Sequence, residues 1–172
     1  MSDGPGKSSS PADEAALVAA QLGRVPRQPW RVAAVCDHGF PTVIVSPGVL
    51  ADGTPFPTYA WLTCPHLVEQ LSAKEAVGVA AGWAARAQVD PAFAERLVAT
   101  DAAVREARAR ESGGSDPCQG VGLAGQRKPL GVKCLHAHVA LMLAGIDDPI
   151  GEAELAKVEL VCPDVRCKDL EG

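Results

Sequence analysis

The chain holds six cysteines and four histidines, and most of them fall in four short stretches. These are Cys36-Asp37-His38, Cys64-Pro65-His66, Cys134-Leu135-His136-Ala137-His138 and Cys162-Pro163-Asp164-Val165-Arg166-Cys167. Every histidine follows a cysteine by two or four residues. Thiolate beside imidazole is the donor set that Zn²⁺ and some iron or copper sites take. The same pair can work without a metal, as a nucleophile with its base.

Cys134 and His138 are spaced one helical turn apart, so on a helix they share a face and can hold one ion. His136 would then face away. The run Ala140-Leu141-Met142-Leu143-Ala144 supports the helix, which makes Cys134 and His138 the first pair and His136 a substitute. Cys64 precedes Pro65, a residue suited to the first position of a helix. A thiol at a helix start is expected to ionise more readily, because free amides and the helix dipole favour the thiolate. Cys36, with His38 as a substitute ligand, supplies a third arm.

The expectation is a tetrahedral site of Cys36, Cys64, Cys134 and His138, with zinc the favoured ion. Sulfurs sharing one zinc should stand about 3.5–4 Å apart, given Zn–S bonds near 2.3 Å. Two other readings stay open: a thiol-dependent enzyme using Cys64 or Cys134 with a neighbouring histidine, and plain burial of the thiols. Cys162 and Cys167, near a polar C-terminus, are expected to do nothing, and Cys118 to be incidental. Gly120-Val121-Gly122-Leu123-Ala124-Gly125 matches a dinucleotide-binding pattern, but no clear strand precedes it and Pro129 interrupts the path to the next helix. A lid or simple flexibility fits it better.

The elements that must position these residues read as an α+β fold, a small antiparallel sheet of about three strands followed by a packed helical region. Arg31–Cys36, Pro41–Ser46 and Thr58–Thr63 are rich in β-branched and aromatic residues. From Cys64 to about Gln88 one imperfect helix is expected, weakened by Gly78 and Gly82. Asp90-Pro91 starts another, to about Glu111, with Phe93, Leu97, Val98 and Val104 on its buried side and Arg105, Arg108 and Arg110 on a solvated face. A glycine-rich loop of about twenty residues follows, a length usually functional or disordered. Helices at about Lys133–Ala144 and Gly151–Leu160 close the chain, with Asp147-Asp148 as turn and cap. Trp61 and Trp83 are expected in the core. The domain reading is a flexible tail with a possible short helix over 1–28, one globular domain over 29–160 and a C-terminal tail over 161–172.

Bulk properties narrow the function. A net charge of −5 argues against nucleic acid as a partner. No apolar run approaches a membrane span, and the N-terminus lacks the apolar stretch of a signal peptide. A cytoplasmic location is therefore expected, where thiols stay reduced and cysteines serve as ligands or packing before disulfides. Aromatic residues make up only 4% of the chain, so alanine, valine and leucine must build the core.

Several motifs together resemble one bacterial family, the domain of unknown function five-zero-one. They are Cys36-Asp37-His38-Gly39, Gly53-Thr54-Pro55-Phe56-Pro57-Thr58, Trp61-Leu62-Thr63-Cys64-Pro65, Val132–His138 and Asp148-Pro149-Ile150-Gly151. The resemblance covers roughly residues 30–152. It implies a small cytoplasmic bacterial domain, with members often encoded near cell-division and polyphosphate-handling proteins. An interaction module linked to cell division is therefore a further alternative, with a protein partner. The sequence departs from the family pattern at Asp37 and His66, which makes His66 a less secure ligand than Cys64.

Overall fold

The computed structural model describes residues 10–170. Of the tail expected over 1–28, residues 1–9 lie outside the described residues, and the possible short helix within it is present. Residues 171–172 of the expected C-terminal tail also lie outside the described residues. The fold is α+β: among the described residues, a three-stranded antiparallel sheet with six α-helices.

Helix α1 (Pro11–Leu22) is set by Ser10, which accepts from the Asp13 amide while Asp13 answers the Ser10 amide, and by Gly23, which ends it at φ +67°. The sheet runs in the order β1 (Arg31–Val35), β2 (Pro41–Val45), β3 (Ala60–Leu62). Strand β2 is central and wholly buried, with Val43 opposite Leu62 and Ile44 opposite Trp61. A tight turn joins β1 to β2: the Gly39 amide donates to the Cys36 carbonyl and the Cys36 amide to that of Phe40.

The helix expected over 64–88 is two helices, α2 (Pro65–Ala76) and α3 (Val79–Val89). Gly78 breaks it at φ +85°, a left-handed conformation that glycine adopts without strain. Helix α4 (Pro91–Glu111) starts at Asp90, whose carboxylate accepts from the Phe93 amide. Helices α5 (Leu135–Leu143) and α6 (Pro149–Leu155) pack closely, since a side chain at Gly151 would overlap the backbone of His138. The core joins the sheet to the inner faces of α2, α4, α5 and α6 through Val43, Leu62, Leu71, Leu97, Leu135, Val139 and Ile150. Among the described residues no helix is long and apolar enough to cross a membrane.

Three expectations fail on α4 and β3. Val98 is half-exposed, on the side away from Leu97 and Val104. Trp61 is only partly buried and stacks on Phe56 beneath the Arg24 guanidinium. Arg108, expected in solvent, is wholly buried. Its guanidinium makes a two-pronged pair with Asp116 at 2.9 and 2.8 Å and donates to the carbonyls of Pro57, Val121 and Gly122. Asp116 stays ionised against its partial burial because of that pair. The glycine-rich loop is thus held to α4 by one cation, and Asp101 adds a bond to the Leu123 amide. A side chain at Gly122 would overlap the Asp101 carboxylate.

Candidate functional site

Helix α2 carries the site chemistry at both ends. Cys64 is its N-cap, as the Cys64-Pro65 pair predicts. Eleven residues later comes Glu75, one position from the helix end, roughly 16 Å further along at 1.5 Å per residue.

At the C-terminal end, Glu75 reaches the start of α5. Cys134 occupies the N-cap of α5 but makes no capping hydrogen bond. Glu75 takes that part from a neighbouring helix: its Oε1 accepts from the Leu135 amide and lies 3.0 Å from His136 Nδ1. A carboxylate at a helix N-terminus is favoured by the free amides there. On the other side of the ring, His136 Nε2 lies 3.3 Å from the Val68 carbonyl and 3.2 Å from Ser72 Oγ. A carbonyl only accepts, so Nε2 carries a proton and Nδ1 is the nitrogen turned toward Glu75 and Cys134. The Cys134 sulfur, and then the Glu75 and Val68 oxygens, hold the imidazole's pKa above its ordinary value against partial burial. One ligand atom from each of Glu75, Cys134 and His136 lies within 4.8 Å of the other two. Among the described residues this is the one such group of histidine, cysteine or acidic side chains.

At the N-terminal end a second set converges. A pocket there is lined by Cys36, His38, Cys64, His66, Cys162 and Cys167, with Phe40, Pro41 and Val165. All six cysteines of the chain are free thiols. Burial pushes the Cys64 thiol up, outweighing the His66 and Leu67 amides that pull the other way. The helix-start argument therefore gives the position of Cys64 but the wrong sign for its acidity, because the sulfur is buried against apolar neighbours.

The four residues expected around one ion are distributed over three places. Cys36 and Cys64 share the N-terminal pocket. Cys134 stands with Glu75 and His136, the substitute histidine. His138 belongs to neither: it is buried, with Nδ1 2.7 Å from Asp148 Oδ2, and Nε2 meets no partner. The other substitute, His38, lines the N-terminal pocket. Asp148 caps α6 through the Ile150 and Gly151 amides, as expected, and also fixes the His138 ring. Sequence reasoning missed Glu75, since no spacing rule ties residue 75 to residue 134.

The fold and site define an α+β domain with a mixed carboxylate, thiol and imidazole cluster able to hold a metal ion. The chain belongs to a family described as Protein of unknown function (DUF501), which matches residues 32–156. The match spans β1 to α6 and includes Cys36, Cys64, Glu75, Cys134 and His136, and it ends before Cys162. No curated protein and no solved structure matches the chain.

Proposed function

We propose that this is a cytoplasmic metal-binding domain whose ion, zinc, is held by Glu75, Cys134 and His136. The observation that carries the reading is the mutual approach of three donor atoms of the right chemistry within 4.8 Å. The hydrogen bonding supports it. His136 Nε2 has a carbonyl partner, the usual outer arrangement of a metal-bound imidazole, which leaves Nδ1 to lose its proton to solvent and offer its lone pair to the ion. Glu75 is fixed by the Leu135 amide, so it enters the site already oriented.

Carboxylate, thiolate and imidazole from three residues leave a fourth tetrahedral position for water. Three protein ligands plus water is the pattern of catalytic rather than structural zinc, and bound water is acidified by the ion. Hydrolytic or lyase chemistry is the activity class that follows. The site is partly open to solvent, with Glu75 and His136 side chains 28% and 24% exposed, so a small substrate can reach it.

The test is metal content of the reduced protein after zinc loading and gel filtration. Glu75→Gln, Cys134→Ser and His136→Ala should each lose one equivalent. Retention of full metal by Cys134→Ser and His136→Ala would overturn the reading. A second reading rests on the closeness of Cys134 to His136, a thiol beside an imidazole able to serve as its base. Metal-free protein in which Cys134 alone is alkylated quickly would favour it.

A further inference from the structure

The pocket at the N-terminal end of α2 has no part in that centre. Four of the six thiols line it, brought from three separate parts of the chain. Cys36 comes from the β1–β2 turn, Cys64 from the start of α2, and Cys162 and Cys167 from the C-terminal segment that ends in a short 3-10 helix, Arg166–Leu170. Cys64, Cys162 and Cys167 are buried. The cavity between them measures about 10 Å³, room for a single water or a single ion. Packing accounts for a single buried cysteine; four of them converging on one cavity from three parts of the chain is the observation that calls for a further role.

The surroundings of the pocket are arranged as the outer partners of a thiolate site would be. Gln21 on α1 donates from Nε2 to Cys167 Sγ at 3.3 Å, and the same nitrogen donates to the Pro41 carbonyl at 2.9 Å. An N–H aimed at sulfur stabilises the thiolate that a metal needs. The two histidines hold the C-terminal segment in place. His38 Nε2 donates to the Cys162 carbonyl at 3.1 Å and His66 Nε2 to the Glu159 carbonyl at 2.8 Å. Cys162 Sγ donates to Asp164 Oδ1 at 2.9 Å, so its proton already faces an acceptor. Between Cys162 and Cys167 the chain turns through Val165 at φ +47°, a left-handed conformation that is strained for a β-branched residue. Such strain gathers at functional sites, and here it lies in the loop that carries two of the four sulfurs.

The geometry points to a second metal centre, a tetrathiolate site in which Cys36, Cys64, Cys162 and Cys167 bind a thiophilic divalent cation of the zinc class. Each thiol gives its proton to solvent as its sulfur binds, so four protons leave and the loaded site carries two negative charges. The Gln21 N–H and the first amides of α2 offset that charge. No three of these sulfurs lie within 4.8 Å of one another without the ion, so loading draws the C-terminal segment inward. The ion clamps that segment to the sheet and α2. This inference does not depend on the Glu75 centre.

Cobalt(II) substitution of the full reduced chain tests it, because a site of four sulfurs gives intense near-ultraviolet sulfur-to-cobalt charge transfer and a site of one sulfur gives little. Wild type should take up two equivalents. Cys134→Ser should keep the strong charge-transfer bands with one equivalent, and the double variant Cys162→Ser/Cys167→Ser should lose them while keeping one. Gln21→Ala should weaken metal binding at this pocket about 10- to 100-fold, the usual cost of removing an outer partner, and leave the Glu75 centre unchanged.

If wild type binds a single equivalent that Cys134→Ser abolishes, the tetrathiolate site is refuted and the Glu75 centre stands. A single equivalent lost only in the Cys162/Cys167 variant upholds this site and refutes the other. Weak charge transfer in cobalt-loaded wild type, or a Cys162–Cys167 disulfide in metal-free protein kept under reducing conditions, overturns the inference without any variant having to fold.

Discussion

The two ends of helix α2 gather opposite kinds of chemistry. The N-terminal end is sulfur-rich and buried, and burial pushes the Cys64 and Cys167 thiols up. The C-terminal end is polar and partly open, with a carboxylate and an imidazole beside one thiol. The difference comes from what reaches each end. The first draws on a β-turn and a C-terminal segment; the second draws on the start of α5, delivered by the glycine-rich loop. A Cys-x-His pair therefore means different things in different places. At Cys36/His38 and Cys64/His66 the histidines tie down backbone, whereas at Cys134/His136 the ring itself enters the cluster.

The largest way to separate the two ends is to release the loop that delivers Cys134. Arg108→Leu would strand Asp116 and three carbonyls, and removing one partner of a buried ion pair costs about 3–5 kcal/mol. Chemical denaturation should show that loss. In the folded fraction, metal binding at Glu75, Cys134 and His136 should fall while the thiol pocket keeps its cobalt spectrum. Equal damage at both ends would mean the loop does not position Cys134.

A smaller effect should come from Glu154, which ties the C-terminal end of α2 to α6. It is buried and accepts from Lys74 on α2, Trp83 and Lys157. Burial alone would raise its pKa, but those three hydrogen bonds together hold it below the ordinary value of 4.5. Its contribution is therefore complete above the unfolded value and is lost as pH falls from 4.5 through the lower folded value. Glu154→Gln should cost about 1.5–3 kcal/mol at neutral pH. The gap between wild type and variant should narrow in melts taken below pH 4.5. A gap that holds constant with pH would show that the charge plays no part.

Much of the fold was legible in advance. Asp90-Pro91, Cys64-Pro65 and Asp148-Pro149 mark helix starts by local rules, and the valine-rich runs mark β1 and β2. Gly78 was visible as a weakness but not as a break, because whether a glycine ends a helix depends on what packs beyond it. The buried Arg108 was hidden, since its alternation with glutamates looks the same in a solvated face. At the site, the residue types were legible and the grouping was not. Glu75 joins Cys134 only because α2 and α5 pack side by side. Cys162 and Cys167 looked idle in a polar tail because their burial comes from α1 and the sheet turn, far away in sequence.

Gln70→Ala probes the N-terminal end. Gln70 accepts from the Glu159 amide at 2.9 Å and donates to its carbonyl at 3.0 Å, holding the start of the C-terminal segment. The loss should be about 0.5–1.5 kcal/mol. Alkylation of Cys162 and Cys167 should speed up while Cys134 keeps its rate; no change at Cys162 would mean the segment is held elsewhere.

Glu75→Gln should have the smallest effect on stability, about 0.3–1 kcal/mol for a charge at a helix start, seen as a small drop in melting temperature. Its metal loss at the C-terminal end should be complete by comparison. A large stability loss would recast Glu75 as a structural cap alone.

The separation of the two centres is tested most directly by anomalous diffraction at the zinc edge from crystals of the loaded protein. Two peaks are expected, one among Cys36, Cys64, Cys162 and Cys167 and one at Glu75, Cys134 and His136, roughly 16 Å apart along α2. A single peak with Cys64 and Cys134 both bound to it would contradict the account.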